Sequence, residues 1–277
     1  MKRLAIYAHY GNSPEVAGHV RFYLRQLAEL GFQICFVSNS PVSAASETAL
    51  KTSCERVIVR ENTGLDFSMW RRGLAECDPA QYDELLLANS SVIGPLRPLA
   101  PLWRDPALAA CDFWGLTDND EYQPHLQSYF LVFRRRVLRS ERFREFWPTV
   151  LPFRGKQQVI LSYELGLSQW LEEGGFQWRA VFPRKEIAEA YRSGRSLRAK
   201  FADRWRRWRF GRRYASRSLP LNYPEVLLQR GMPFLKAALL REGSLRITPA
   251  AAFGLLEQSA LPPEILAELR QIHFPAR

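Results

Sequence analysis

An α/β fold is predicted, with a mixed, mostly parallel sheet flanked by helices, and three observations predict it. Short apolar runs at Leu4–Ala8, Phe32–Val37, Arg56–Val59 and 84–88 alternate with stretches whose apolar residues recur at helical spacing. The fourth run, Leu85–Ala88, is continuously apolar, the pattern of a parallel strand buried on both faces. It then breaks into Asn89-Ser90-Ser91, as the third breaks into Arg60-Glu61-Asn62-Thr63-Gly64-Leu65-Asp66. In open α/β sheets the crevice outside the carboxyl ends of the strands is where ligands sit.

Taken in order, Leu4–Ala8 reads as the first strand, followed by a loop through His9, Tyr10, Gly11 and Asn12. Ser13-Pro14-Glu15 reads as a helix start: a capping hydroxyl, a proline at the first helical position and an early acid. Val16, Val20, Tyr23, Leu24 and Leu27 share one face of that helix, and Gly31 stops it. A polar loop and short helix at 43–53 lead from the second strand to the third. This β-α-β-α-β alternation predicts a right-handed, doubly wound half-domain. No GxGxxG follows the first strand, so a dinucleotide-binding Rossmann site is not expected.

Asp66–Glu76 is a predicted helix, and the fourth strand leads to a Gly94-Pro95 turn. Asp112–Thr117 is a fifth strand ending in Asp118-Asn119-Asp120, and Gln127–Phe133 is a strand antiparallel to its neighbours. Arg136–Trp147 and Gln157–Glu173 are helical, the second closed by Gly174-Gly175, and Phe176–Phe182 is a last strand. The expected organisation is a catalytic α/β domain at 1–183, a basic amphipathic helical segment at 184–218, and a C-terminal helical region at 219–277 packing on the first.

Charge separates the parts. Between Arg192 and Arg217 eleven Arg or Lys stand against Asp203 alone, a local +10 out of a total of +11. The positive charge is therefore a local device. Leu197, Phe201, Trp205 and Trp208 fall on one stripe of this segment, with arginines over most of the rest. Such a face suits anionic lipid head groups, and it equally suits packing on the domain with solvated arginines. Nucleic-acid binding is a third reading, but no readout motif accompanies the charge, so no nucleic-acid partner is expected. Cys35, Cys54, Cys77 and Cys111 show neither a CxxC pair nor regular spacing, which predicts reduced thiols and a cytoplasmic setting. The apolar run after Met1-Lys2-Arg3 is too short for a signal peptide, and no window approaches the roughly 20 apolar residues of a membrane span.

Five stretches in this order, Glu61–Phe67, Tyr82–Leu96, Asp112–Asn119, His125–Phe133 and Tyr163–Ser168, resemble the rhamnan synthesis F family. The tail, with Leu221-Asn222 and Pro233-Phe234-Leu235-Lys236, looks like that family's ending. The resemblance implies a glycosyltransferase of GT-A-like fold with a C-terminal helical extension, adding a deoxyhexose, typically rhamnose, during bacterial polysaccharide assembly. With that reading go a nucleoside-diphosphate sugar donor and a lipid-linked glycan acceptor, and the basic segment would dock the protein peripherally at the inner membrane face through 195–213. One departure stands out: the family usually has Asn-Asp-Ser after the fourth strand, where this chain has Asn89-Ser90-Ser91. That puts a metal ligand at this point in doubt, and it favours the alternative of a non-catalytic glycan- or membrane-binding scaffold.

The candidate site residues follow. Glu164 shares a helix side with Ile160, Leu167 and Leu171, and buried acids of this kind concentrate at sites. As a general base it would deprotonate the acceptor in an inverting transfer; a structural pair with Arg154 is the alternative. Asn62, Gly64 and Asp66 are donor-binding candidates, Gly64 for close backbone approach and Asp66 as a nucleotide ligand or a helix cap. Asn89, Ser90 and Ser91 join them from the fourth strand, and His9 and Tyr10 from the first. His125, Gln127 and Ser128 are expected on the acceptor side. Asp118 and Asp120 form the literal Asp-x-Asp that a Mg or Mn ion would want, with metal-independent catalysis through cationic side chains as the other option.

Overall fold

The computed structural model describes residues 1–193, 218–244 and 246–275. The expected GT-A-like architecture is present: an eight-stranded mixed sheet flanked by helices, followed by a C-terminal helical region. β1 (Arg3–His9), β2 (Phe32–Ser38) and β3 (Arg56–Val59) run parallel to one another and to β4 (Glu84–Asn89). β8 (Phe130–Arg134) lies antiparallel between β4 and β6 (Phe113–Asn119), as the sequence predicted. β7 (His125–Leu126) pairs with the end of β6, and β9 (Trp178–Phe182) pairs with β6 in parallel.

Successive side chains along each strand enter opposite apolar layers. Ala5, Tyr7, Phe36, Leu86, Trp114, Phe130 and Val132 face one layer, and Ile6, Cys35, Val37, Leu85, Leu87, Phe113 and Phe133 the other. The four cysteines are free thiols. At the amino-terminal end of β4, buried Glu84 is neutralised by Arg3 Nε at 2.9 Å and Arg134 Nη1 at 3.0 Å and accepts from Trp103 Nε1 at 2.9 Å. That charge is structural, because its partners are complete.

Three local expectations are corrected. Helix α1 spans Gly18–Glu29 and does not begin at Ser13. The residues before it are held as a loop, with Glu15 accepting from Ser46 Oγ at 2.8 Å and Ser46 Oγ accepting from Val16 N at 3.0 Å. The helix is capped instead by Glu268, whose carboxylate oxygens both accept from Gly18 N at 2.9 Å. Helix α2 (Ala44–Leu50) and helix α3 (Asp66–Glu76) form as expected. The stretch 136–147 is broken at Ser140, whose hydroxyl caps a new helix, Glu141–Phe146, by accepting from Phe143 N. Finally, Val92–Ile93 is no plain run into a turn. It forms a short strand, β5, paired antiparallel with β10 (Leu235–Lys236).

That pairing organises the C-terminal region. Ile93 and Leu96 join Leu235, Leu239, Phe253, Leu256 and Leu269 in a third apolar cluster. Phe234 reaches inward to Tyr23 and Phe130, with ring centroids 4.8 and 5.7 Å away. The helices here open on proline at or near the first turn, as at Pro224, Pro249 and Pro263, where the missing N–H costs nothing. Among the described residues no helix is long and apolar enough to cross a membrane. The expected basic stripe through 195–213 lies outside the described residues.

Candidate functional site

Strand order reverses between β1 and β4: from β1 the chain steps outward through β2 and β3, then returns to β1's other side. Such a switch point opens a crevice at the carboxyl ends. Its two walls are linked by Ser90 Oγ, which accepts from Tyr10 N at 3.1 Å. His9, at the end of β1, is buried, and burial pushes its pKa down to about 4. Ser38 Oγ donates to Ser40 O at 2.8 Å, so at the 3.0 Å contact His9 Nδ1–H is the donor and Nε2 keeps its lone pair. Tyr10 is exposed.

On the β4 side, Asn89 Nδ2 donates to Asp66 Oδ2 at 2.6 Å, and Asn89 Oδ1 accepts from Ser91 N at 3.1 Å and Ser91 Oγ at 2.5 Å. Asp66 opens α3, but its carboxylate points at Asn89; the cap position is Leu65. Burial raises the Asp66 carboxyl to about 6, helped by the Glu164 charge and opposed by Lys236 and the Asn89 bond. Gly64 has φ +70°, and a Cβ there would lie 2.1 Å from Ser68 Oγ, so both conformation and space demand glycine. Its carbonyl accepts from Asn39 Nδ2 at 3.1 Å. Asn62 is exposed nearby in the chain.

Glu164 stands on the side where the sequence led the acceptor to be expected. It ends a π-helical turn, Ile160–Glu164, set within the predicted helix between Lys156–Val159 and Leu165–Glu173. π-Turns often mark functional positions because they shift side chains out of the regular helical pattern. Its Oε2 accepts from Ser128 N at 2.8 Å and from Ser128 Oγ in a very short bond. Its Oε1 stands 3.7 Å from His125 Nε2. Burial would raise this carboxyl, but His125 and Ser128 more than offset that and hold it below the usual carboxylate range. His125 Nδ1–H donates to Gln123 O at 2.7 Å, and although burial opposes it, Glu164 and that carbonyl keep the imidazole above its ordinary pKa. Arg154 is not the partner of Glu164. Gln127 Oε1 accepts from Thr117 Oγ1 at 2.8 Å, which also meets Tyr129 Oη at 2.7 Å.

One residue with no role assigned from sequence stands at the centre. Lys236 Nζ donates to Ser91 Oγ at 3.0 Å and lies 4.2 Å from the Tyr129 ring centroid. Burial lowers its ammonium to about 8, against the attraction of Glu164 and Asp66. A sequence signal did exist: Lys236 is the single charge between Arg230 and Arg241. Tyr129, in the apolar run 127–133, and Asn39, just past the second strand, carry no such signal.

The donors present do not fit a resident divalent ion. Asp118 Oδ1 accepts from Arg184 N at 2.6 Å, and Asp120 pairs with Arg184 Nε at 2.9 Å. At the end of β4 the oxygens are an amide and two hydroxyls, already engaged with one another, with Tyr10 and with Lys236. An ion bound by Asp66 would share the crevice with the Lys236 ammonium. Among the described residues no group of three or more His, Cys, Asp or Glu is placed to hold a metal.

Comparison with known proteins adds family and context. An uncharacterized protein, y4gN, of Sinorhizobium fredii is 27% identical over 61% of this chain and 46% of its own length. Virulence protein VirA of Vibrio anguillarum is 29% identical over 50% and 45%. The chain thus spans about half the length of the curated relatives it matches. Among solved structures, a protein assigned as a nucleotide-diphospho-sugar transferase from Desulfovibrio desulfuricans G20 is 14% identical over 66% of this chain and 80% of its own, with TM-score 0.40. Glucosyl-3-phosphoglycerate synthase from Mycobacterium tuberculosis, in complex with Mn2+, UDP-glucose and phosphoglyceric acid, is 13% identical over 49% and 58%, with TM-score 0.34. The model of rhamnan synthesis protein F matches residues 34–199, from β2 to beyond the last strand of the sheet, and the chain belongs to that family.

Proposed function

We propose that the protein is a glycosyltransferase that moves a deoxyhexose, rhamnose by family, from a nucleoside-diphosphate sugar onto a growing cell-surface polysaccharide with inversion. The observation that carries this reading is the convergence of Asp66, Asn89 and Glu164 at one end of the sheet, around its switch point. Donor would sit over His9, Tyr10, Asn62, Gly64 and 89–91, and acceptor would enter past His125, Gln127 and Ser128. Glu164 would take the acceptor hydroxyl proton on Oε1, since Oε2 is occupied twice by Ser128. Ser128 and His125 would hold the carboxylate ionised and aimed.

A lipid-linked acceptor at the inner membrane face, docked through 195–213, belongs to the same proposal. The non-catalytic scaffold remains the second reading, and Ser90, where the family usually has Asp, favours it. Titration of nucleoside-diphosphate sugars against the purified protein tests both. Saturable stabilisation with turnover that disappears in Glu164→Gln supports transfer. Saturable binding without turnover supports the scaffold.

A further inference from the structure

Among the described residues no carboxylate forms an ion pair with the ammonium of Lys236 in the crevice. Lys236 donates one hydrogen bond, to a neutral hydroxyl, and rests on an aromatic face. Asp66 and Glu164 influence it, but neither forms an ion pair with it. Removing an ammonium from water costs several kcal/mol unless an anion compensates. The position is also built. Lys236 pairs with Val92 and Leu235 with Ile93, Ala237 N donates to Ser91 O at 3.0 Å, and Leu96 N donates to Pro233 O at 2.7 Å. Both strands of this small ribbon are therefore fixed on either side of the ammonium, which is set at the carboxyl end of β4.

Resting on the transferase reading above, we propose that Lys236 is the residue that receives the diphosphate of the donor and neutralises it as it leaves. In the transfer step the acceptor oxygen forms its bond to the anomeric carbon as the bond from that carbon to the diphosphate oxygen breaks. The electron pair goes to the diphosphate, the acceptor proton goes to Glu164, and the diphosphate gains one negative charge. A preplaced ammonium stabilises that charge where it develops, the work a divalent ion does when carboxylates are available to hold it. Here the donor set at β4 favours the lysine: Ser91 orients Nζ, Tyr129 covers its other side, and Asn89 fixes Ser91.

The test is calorimetric titration of UDP, GDP and dTDP, and of the matching nucleosides, into the full chain and into Lys236→Met and Lys236→Arg, with chelator present throughout. One diphosphate is expected to bind the unaltered protein. Lys236→Met should weaken it at least tenfold while leaving nucleoside binding within twofold, and Lys236→Arg should stay within a few-fold. Thermal melts establish that each variant is folded; if Lys236→Met is not, Lys236→Gln takes its place. Equal diphosphate affinity in the Met variant overturns the role of Lys236 while leaving the transferase reading standing. If no nucleoside diphosphate binds the unaltered protein, the transferase reading falls and takes this role with it.

Discussion

Asn89 and Asp66 join the last residue of β4 to the first of α3 through a 2.6 Å hydrogen bond. The bond ties the β4 wall of the crevice to the start of α3 and occupies Oδ2 of Asp66. Asp66→Asn removes the charge while keeping the shape. We expect donor binding or turnover to fall at least tenfold, with melting temperature unchanged or raised, because a buried carboxyl with an elevated pKa opposes folding when ionised.

Asp66 and Lys236 should contribute opposite slopes to the pH dependence of stability. Asp66 titrates near 6 in the fold and at the ordinary 3.8 when unfolded, so the folded state binds more protons between these values and stability falls as pH rises through them. Lys236 titrates near 8 in the fold and at 10.5 when unfolded, so the unfolded state binds more protons there and stability rises from about pH 8 to 10.5. Asp66, Glu164 and Lys156 are the charges acting on it. Buried His9 and His19, lowered to about 4, oppose the Asp66 slope, and the raised thiols of Cys54 and Cys111 oppose that of Lys236. Urea unfolding across pH 4–10.5 should therefore read each slope as the difference between the unaltered protein and Asp66→Asn or Lys236→Met.

Glu164→Gln should lower kcat by about a hundredfold or more, the scale of a lost general base, with donor KM within a few-fold. The folded carboxyl lies below its usual range, so the ionised base should persist at mildly acidic pH and its contribution to stability should fade only at lower pH. Steady-state kinetics and a pH–rate profile check this. A kcat unchanged in the Gln variant would remove the base.

Glu268→Ala deletes both bonds to Gly18 N and leaves the start of α1 without its cap. A loss of about 0.5–2 kcal/mol is expected in urea unfolding. Nucleoside diphosphate affinity should not change, which makes this variant the structural control for Lys236.

Phe234→Ala should cost about 3–5 kcal/mol, as for other buried phenylalanines, and should also loosen β10. Chemical denaturation with a parallel binding titration measures both effects. Phe234→Leu should preserve binding.

Much of the sheet was legible because its strands are apolar runs bounded by turn residues, and the boundaries of α3 were read directly from Asp66 to Glu76. Glu164 was readable from the side of the helix it shares with Leu167 and Leu171, although its partners were not, because Ser128 and His125 approach across the fold. Local signals misled where tertiary bonds outweighed them: Ser13-Pro14-Glu15 has every mark of a helix start, yet Ser46 takes Glu15 and Glu268 supplies the cap. Val92–Ile93 is too short for any periodicity to register, and its partner Leu235–Lys236 lies far along the chain. Lys236 therefore looked like a lone charge in an apolar tail.

The ribbon between Val92–Ile93 and Leu235–Lys236 has a consequence for synthesis. All strands of the main sheet leave the ribosome well before residue 236, and domains fold as they emerge. A nascent chain can thus raise its scaffold early while the crevice still lacks its ammonium. On the role proposed for Lys236, competence would arrive only when the tail docks, and a prematurely terminated product would lack both the ammonium and the part of the core that Phe234 fills.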